Sequence, residues 1–390
     1  MESLNNVRVA RVSTVPYFVA TQLKGQIERL AASGAQTVVI TSPGEELSRI
    51  DWSERLTLEL IEIPRSPHPL KDLLALFRLF MAFRRQKFNI IHSTTPKAGL
   101  LSAISSFLAR VPIRLHTFTG QPWVGLSGPL AWFARSSDKV IGRLSTHCYA
   151  DSESQCEFLV STGVIKRNKI SVIGAGSLAG VSLSRFNPAR FSQTDKNELR
   201  AELGISEGSR IVLFVGRICK DKGIFELLEA FRRALGAGVN AELLLVGPID
   251  QGRDDVDSLS LADLSGQAKV HHVGYTDCPE KYMAIADLLC LPSYREGFGT
   301  VVIEAAAMGV PTLGTAIYGL TDAIVNGETG VLVPPRDSEA LCGEMIRLLS
   351  CPELLAGMGK SAYSRCLKCF DAEVINGQVL EEYERLMGRQ

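Results

Sequence analysis

A chain of 390 residues with 46% hydrophobic and 22% charged residues is too long for one ordinary core and too apolar to be disordered, so two or three globular domains are expected. No run of about 18 uncharged apolar residues occurs, so no spanning helix is expected, and Met1-Glu2-Ser3-Leu4-Asn5-Asn6 lacks the basic-then-apolar order of a signal peptide. Net charge is zero, yet residues 1–190 hold 23 Lys+Arg against 13 Asp+Glu, a balance of +10 that residues 191–390 reverse. That asymmetry points to an anionic partner for the first half, where a phospholipid surface or a polyanionic substrate fits as well as nucleic acid.

The first half alternates strand and helix patterns. Val7–Ser13 reads as a short β-branched strand and Gln22–Ser33 as a helix closed by Gly34. Val38–Thr41 and Leu56–Ile63 are strands, and Leu70–Arg85 is an amphipathic helix. Strand Asn89–Ser93, helix Gly99–Ala109 and strand Ile113–Thr117 follow, and Cys148–Ala150 and Lys169–Ile173 close the series. The polar stretch Asn187–Asn197, with Pro188, marks the expected joint.

A second series opens on the apolar strand Arg210–Val215. Helix Phe225–Leu235, strands Glu242–Val246 and Val270–Val273, helix Pro279–Ala286 and strand Leu288–Leu291 come next. Helix Thr300–Met308, strands Thr312–Thr315 and Gly330–Val333, and helices Ser338–Leu349 and Glu353–Ser364 complete it. Short, wholly apolar strands suit a sheet covered on both faces. The alternation predicts an α/β chain of two tandem doubly wound domains, 1–186 and 187–371. A last helix, about 372–390, is expected to pack back on the first. Ligands in such sheets bind beyond the carboxyl ends of the strands, so two domains facing each other would share one cleft.

The nine cysteines show no pairing pattern. Cys366 and Cys369 form a CxxC without a second pair at zinc-ligand spacing, so reduced thiols without a catalytic role are expected. The glycine-rich segments carry more. Gly216-Arg217-Ile218-Cys219-Lys220-Asp221-Lys222-Gly223 stands between a buried strand and a helix. Glycine allows close backbone approach, and Arg217 and Lys222 put two cations where a diphosphate could bind. The Walker spacing is absent, and the plain alternative is a basic turn.

Arg295–Glu304 follows another apolar strand. Gly297 and Gly299 permit a tight turn into a helix near Thr300, whose first-turn N–H groups form an anion site. Glu304, one turn further, could accept hydrogen bonds from ribose hydroxyls, and Glu296 could face a sugar. The alternative is that Glu304 is an exposed helix residue.

Three features of the first half are less specific. Gly174–Ala179 matches the dinucleotide pattern G-x-G-x-x-A, but it ends its series rather than opening it, so a loop over phosphates is preferred to a dehydrogenase site. His116 follows a strand and could hydrogen-bond a sugar hydroxyl or steady charge on the transferred group; otherwise it is structural. Leu70–Phe88 sets apolar residues beside Lys71, Arg78, Arg84, Arg85 and Lys87, as an interfacial helix or a core helix with solvated cations would. The basic balance favours the membrane surface.

On these residues the chain resembles a family-4 glycosyltransferase of the GT-B fold over essentially its whole length. The resemblance is carried by G-R-x(4)-K-G at 216–223 and E-G-F-G-x(4)-E at 296–304, whose glutamates have the family's E-x7-E spacing. His116-Thr117-Phe118-Thr119-Gly120 and Gly176-Ser177-x-x-Gly180-Val181, with Arg185-Phe186, are similar to a narrower set that extends polyprenyl-diphosphate-linked sugars in surface-polysaccharide or glycan assembly.

The resemblance implies a retaining, metal-independent hexosyltransferase without a cofactor. Its substrate would be a nucleotide-diphosphate sugar, expected to be UDP-linked, and it would move a hexose or N-acetylhexosamine to a lipid-linked saccharide. Gly216, Arg217 and Lys222 would hold the donor diphosphate and Glu304 the ribose. Glu296 would hold the sugar hydroxyls. Backbone from Gly297, Phe298, Gly299, Thr300 and Val301 would contact phosphate and sugar, with Ser177 a further donor contact and His116 near the transferred sugar. Glu296 and His116 are thereby the catalytic candidates. A cytoplasmic protein resting on the anionic inner face of a membrane, with no nucleic-acid partner, is implied as well. Ser13–Phe18 lacks the glycines that many members carry after the first strand, and Ser182 stands where the set often has Asp. The alternatives are a GT-B sugar-nucleotide epimerase, a non-catalytic nucleotide-sugar-binding protein and, through Gly174–Ala179, an NAD-dependent dehydrogenase.

Overall fold

The computed structural model describes residues 4–250 and 269–388, so the first three residues of the amino-terminal stretch read above lie outside it. The chain forms two compact units: one runs to Gly180 and takes in the chain from Ala372, and the other is Val181–Asp371.

The first unit holds β1 (Arg8–Val12), β2 (Gln36–Thr41), β3 (Leu56–Leu60), β4 (Ile90–Thr94), β5 (Ile113–Phe118), β6 (His147–Ala150) and β7 (Ile170–Val172). They form one sheet in the order β3-β2-β1-β4-β5-β6-β7, every pair parallel. The second unit holds β8 (Arg210–Val215), β9 (Ala241–Val246), β10 (Val270–Gly274), β11 (Leu288–Leu291), β12 (Thr312–Thr315) and β13 (Gly330–Val333). Its sheet has the order β10-β9-β8-β11-β12-β13, again all parallel. Parallel neighbours need crossovers, and the intervening helices cover the sheets. That is why β9 and β11 are buried at every position.

The two doubly wound sheets are those expected; the differences are local. The helical course expected over Gln22–Ser33 starts at Pro16, passes through the wider π turn Val19–Leu23 and then runs Lys24–Ala32. Among the described residues, helices Gly128–Leu144, Glu153–Ser161 and Gln193–Glu202 were not foreseen. In the first, only Asp138, Ile141 and Gly142 are buried, too few to show a core-facing period. The polar stretch after Asn187 is not a linker. Ser192 and Asp195 form a reciprocal capping box that starts helix Gln193–Glu202. The units divide at Gly180 because the Val181 amide donates to the Phe370 carbonyl at 2.7 Å and Phe186 sits in the second unit's core.

Helix Ala372–Met387 packs on the first unit through Ile375, Val379 and Tyr383. Beneath it lies a buried polar cluster. Arg11, fully buried, donates to the Tyr383 hydroxyl at 2.8 Å and lies 2.9 Å from His92 Nδ1. Tyr383 Oη is 2.6 Å from the same Nδ1, and His92 Nε2 is 2.7 Å from Thr117 Oγ1. Burial, with Arg11 beside it, holds His92 well below the usual imidazole range, so it stays neutral. Tyr383→Phe leaves both groups short of a partner and should cost about 1–3 kcal/mol. Chemical denaturation reads this as a lower midpoint with unchanged far-UV circular dichroism; an unchanged midpoint would deny the cluster its role.

Candidate functional site

In the second sheet the chain leaves β8 for β9 on one side, and β11 pairs with β8 on the other. The crevice between the loops after β8 and β11 is the topological switch point, where open α/β sheets bind ligands. Gly216–Gly223 follows β8, and residues 292–299 follow β11. Gly223 has φ +70°, and a Cβ there would lie 2.1 Å from the Pro292 carbonyl oxygen, so only glycine lets the two loops touch.

Two side-chain bridges tie them, and a third ties the second loop to the helix that follows the first. Lys222 Nζ donates to Glu296 Oε1, an oxygen that also accepts from Ser293 Oγ at 2.7 Å. Arg295 Nε donates to Asp221 at 2.9 Å, and the Tyr294 hydroxyl donates to Glu226 at 2.6 Å. Lys222 and Glu296 side chains are 22% and 13% exposed, so solvent screens this pair little. Arg217, half-exposed, pairs with Asp250 on the loop after β9. The site thus presents Arg217 and Lys222 as oriented cations and Glu296 as an oriented carboxylate.

Gly299, at φ +84°, is the N-cap of helix Thr300–Ala307 and has no side chain to close the first turn. Its free amides and the helix dipole favour an anion there. Phe298 is buried against the Phe370 ring at 5.2 Å and fixes the turn. Glu304 is half-buried and its carboxylate accepts no hydrogen bond from the described residues. Burial pushes its carboxyl up to about 7, with Arg185 opposing and Glu280 adding to the shift. Arg185 is held by Glu280 through Nε at 3.1 Å and Nη2 at 2.8 Å.

The structure therefore gathers Gly216, Arg217, Lys222, Glu296, Gly297, Phe298, Gly299, Thr300, Val301 and Glu304 on the second unit. Asp250, Ser293 and the Asp221–Arg295 pair were not singled out from the sequence. The one signal for Asp250 was Gly247 directly after an apolar strand, as Gly216 stands directly after β8.

His116 and Ser177 belong to the first unit. His116 lies on β5, with Ser93 Oγ 3.0 Å from its Nδ1 and the Phe118 ring edge-on at 4.6 Å. A Cβ on Gly99 would stand 2.4 Å from its Cε1. Burial pushes His116 down to about 3, so it is neutral and cannot steady charge as a cation; hydrogen bonding is the role left open. Ser177 has φ +68° and is buried; its amide donates to the Asp151 carbonyl at 2.7 Å, and its Oγ accepts from the Gly180 amide at 3.2 Å. That side chain holds its own turn. No helix follows Gly174–Ala179, so the dinucleotide pattern lacks the helix it needs.

The family model for glycosyl transferases group 1 matches residues 195–365, and the glycosyl transferase 4-like domain matches residues 19–176. The chain is 29% identical over 373 residues, 95% of each chain, to CapM, a capsular polysaccharide biosynthesis glycosyltransferase of Staphylococcus aureus. It is 26% identical to the N,N'-diacetylbacillosaminyl-diphospho-undecaprenol alpha-1,3-N-acetylgalactosaminyltransferase of Campylobacter jejuni, over 83% of this chain and 84% of that one. The fold superposes on Anabaena HepE in complex with UDP-glucose with a TM-score of 0.78 at 20% identity, covering 97% of this chain and 100% of that one.

Because the Glu304 carboxyl is raised in the folded chain, the unfolded chain loses its proton first as pH rises from about 4.5 to about 7. Folding stability contributed by this group falls across that window and is level above it. Glu304→Gln should remove the fall, so its denaturation midpoint gains on the wild type between pH 5 and pH 8; parallel pH profiles would contradict the shift.

Proposed function

The chain belongs to the family-4 glycosyltransferases of the GT-B fold, and we propose that it moves a hexose or N-acetylhexosamine from a UDP-linked donor to a hydroxyl of a lipid-linked saccharide, with retention and without a metal. The observation that carries the donor half is the Lys222–Glu296 pair across the β8/β11 switch point. A diphosphate placed there meets Lys222, Arg217 and the open first turn at Thr300. Those charges and dipoles oppose the negative charge that grows as the glycosidic bond breaks. Glu296, oriented by Lys222 and Ser293, is set to accept hydrogen bonds from the sugar, and Glu304 from the ribose. UDP is favoured because it is the nucleotide bound by HepE. A lipid-linked acceptor and an N-acetylhexosamine are favoured by the name of the Campylobacter relative.

Retention follows from same-face attack. The acceptor oxygen bonds to the anomeric carbon on the side the diphosphate leaves, and its proton passes to a departing phosphate oxygen. Glu296 is tied by two hydrogen bonds and serves poorly as a covalent nucleophile. His116, neutral and fixed by Ser93, would hydrogen-bond a hydroxyl of the transferred sugar. Ser177 holds the loop after β7. No described helix is long and apolar enough to cross a membrane. Contact with lipid would be peripheral, on an anionic inner face, through Leu70–Phe88.

A panel of UDP-sugars against lipid-diphosphate-linked acceptors, read by UDP release and by the product's anomeric signal, tests the reading. Transfer with an inverted anomer would overturn retention, and an epimer formed from donor alone would favour the epimerase. Lys222→Ala should lower turnover by about 100-fold or more, the scale of one lost charge contact in a desolvated site. Near-normal turnover would remove Lys222 from the site.

A further inference from the structure

We propose that the first unit docks on an anionic bilayer through two helices, Pro69–Gln86 and Gly128–Leu144, and that the second inserts Trp132 and Phe133. The inference rests on the peripheral membrane contact proposed above and assigns the element that makes it.

Helix Pro69–Gln86 carries two apolar stripes. Ala75, Leu79, Ala82 and Phe83 face the core. Leu70, Leu73, Leu74, Phe77 and Met81 fall at i, i+3, i+4, i+7 and i+11 on the opposite side and are all exposed. A helix apolar on both sides has one side too many for a single core. Helix Gly128–Leu144 has no such regular stripe, yet it too leaves large apolar residues uncovered. It turns Ile141 inward and leaves Leu130, Trp132 and Phe133 outside, 62%, 71% and 56% exposed. Both helices pack on the intervening helix Pro96–Leu108, so they flank it.

Their charge selects the occupant. The sole carboxylate of Gly128–Leu144 is Asp138, which is buried and accepts from the Trp123 indole at 2.7 Å. The sole carboxylate of Pro69–Gln86 is Asp72, which pairs with Lys97 at 2.6 Å. Lys71 and Arg85 are paired with Glu62 and Glu59. Arg78, Arg84, Lys139 and Arg143 are exposed and form no ion pair among the described residues. An exposed apolar surface bordered by unpaired cations matches acyl chains below anionic headgroups. A second copy of this face would set those cations against like charge.

Placement ties the surface to the chemistry. Helices antiparallel to their strands begin at the strands' carboxyl edge. Leu70, Leu73, Leu130, Trp132 and Phe133 all lie in the first two turns of their helices. The apolar patch therefore borders the edge of the first sheet on which β5 ends, just beyond His116. A lipid-linked saccharide could reach that edge with its diphosphate still at the bilayer surface.

The test uses the full chain with vesicles of equimolar phosphatidylglycerol and phosphatidylcholine, and with phosphatidylcholine alone. The wild type should sediment with the anionic vesicles, less so at high salt, and its tryptophan emission should be quenched by shallow spin-labelled lipid. Trp132→Gln/Phe133→Gln, at two exposed positions, should weaken vesicle binding at least tenfold, keep the near-UV circular dichroism of the fold, and leave turnover on a water-soluble acceptor unchanged. If that variant binds like the wild type while Leu73→Gln/Phe77→Gln does not, insertion by Gly128–Leu144 is overturned and the membrane contact stands. If the wild type binds neither vesicle, both fall. A wild-type dimer that Trp132→Gln/Phe133→Gln dissolves, without vesicle binding, would identify the face as an interface between copies of the chain.

Discussion

The ion pair between Lys222 and Glu296 is the constraint on which the chemistry proposed for the second unit depends. It joins two loops that the chain separates by more than 70 residues and that only the parallel pairing of β8 with β11 brings side by side. The approach is so close that Gly223 tolerates no Cβ against the Pro292 carbonyl oxygen, where the gap is 2.1 Å. Across that contact a cation and a carboxylate are held nearly out of solvent. Breaking such a pair on one side leaves a costly lone charge, so each group fixes the other before any substrate arrives. The diphosphate reading and the sugar reading are therefore not independent: the same lysine would meet the leaving group and orient the glutamate.

The buried histidines of the first unit are neutral. Arg11 is buried among His92 and Tyr383, and His116 is buried between Ser93 and Phe118 over Gly99. These histidines are uncharged because no carboxylate offsets the loss of water. What the carboxyl edge of this sheet offers is hydrogen bonding without charge, which suits hydroxyl recognition. The unit's positive charge lies instead on its outer helices, beside apolar residues that no core covers.

What could be read before the structure followed the physics of burial. Strands β8, β11, β12 and β13 and helix Ser338–Leu349 were legible to the residue, because each is an apolar run or stripe cut off by glycine, proline or a capping aspartate. Helix Gly128–Leu144 was not, because its largest apolar residues point outward and its one buried charge, Asp138, points in. Of the site, the cations and carboxylates after β8 and β11 were legible as types and spacing. Their pairing was not, since Arg217 meets Asp250 only through a loop crossing that sequence distance hides. For His116 the sequence left hydrogen bonding and charge steadying open, because its burial against Gly99, on the helix Pro96–Leu108, does not show in the motif.

The donor clamp is tested most directly by a double-mutant cycle on UDP-sugar binding, measured by calorimetry with Lys222→Met, Glu296→Gln and the pair. Two groups that act as one unit should be non-additive, with a coupling of about 1 kcal/mol or more and a double variant hardly worse than the worse single one. Losses that simply add, or UDP-sugar binding that neither change weakens, would contradict it.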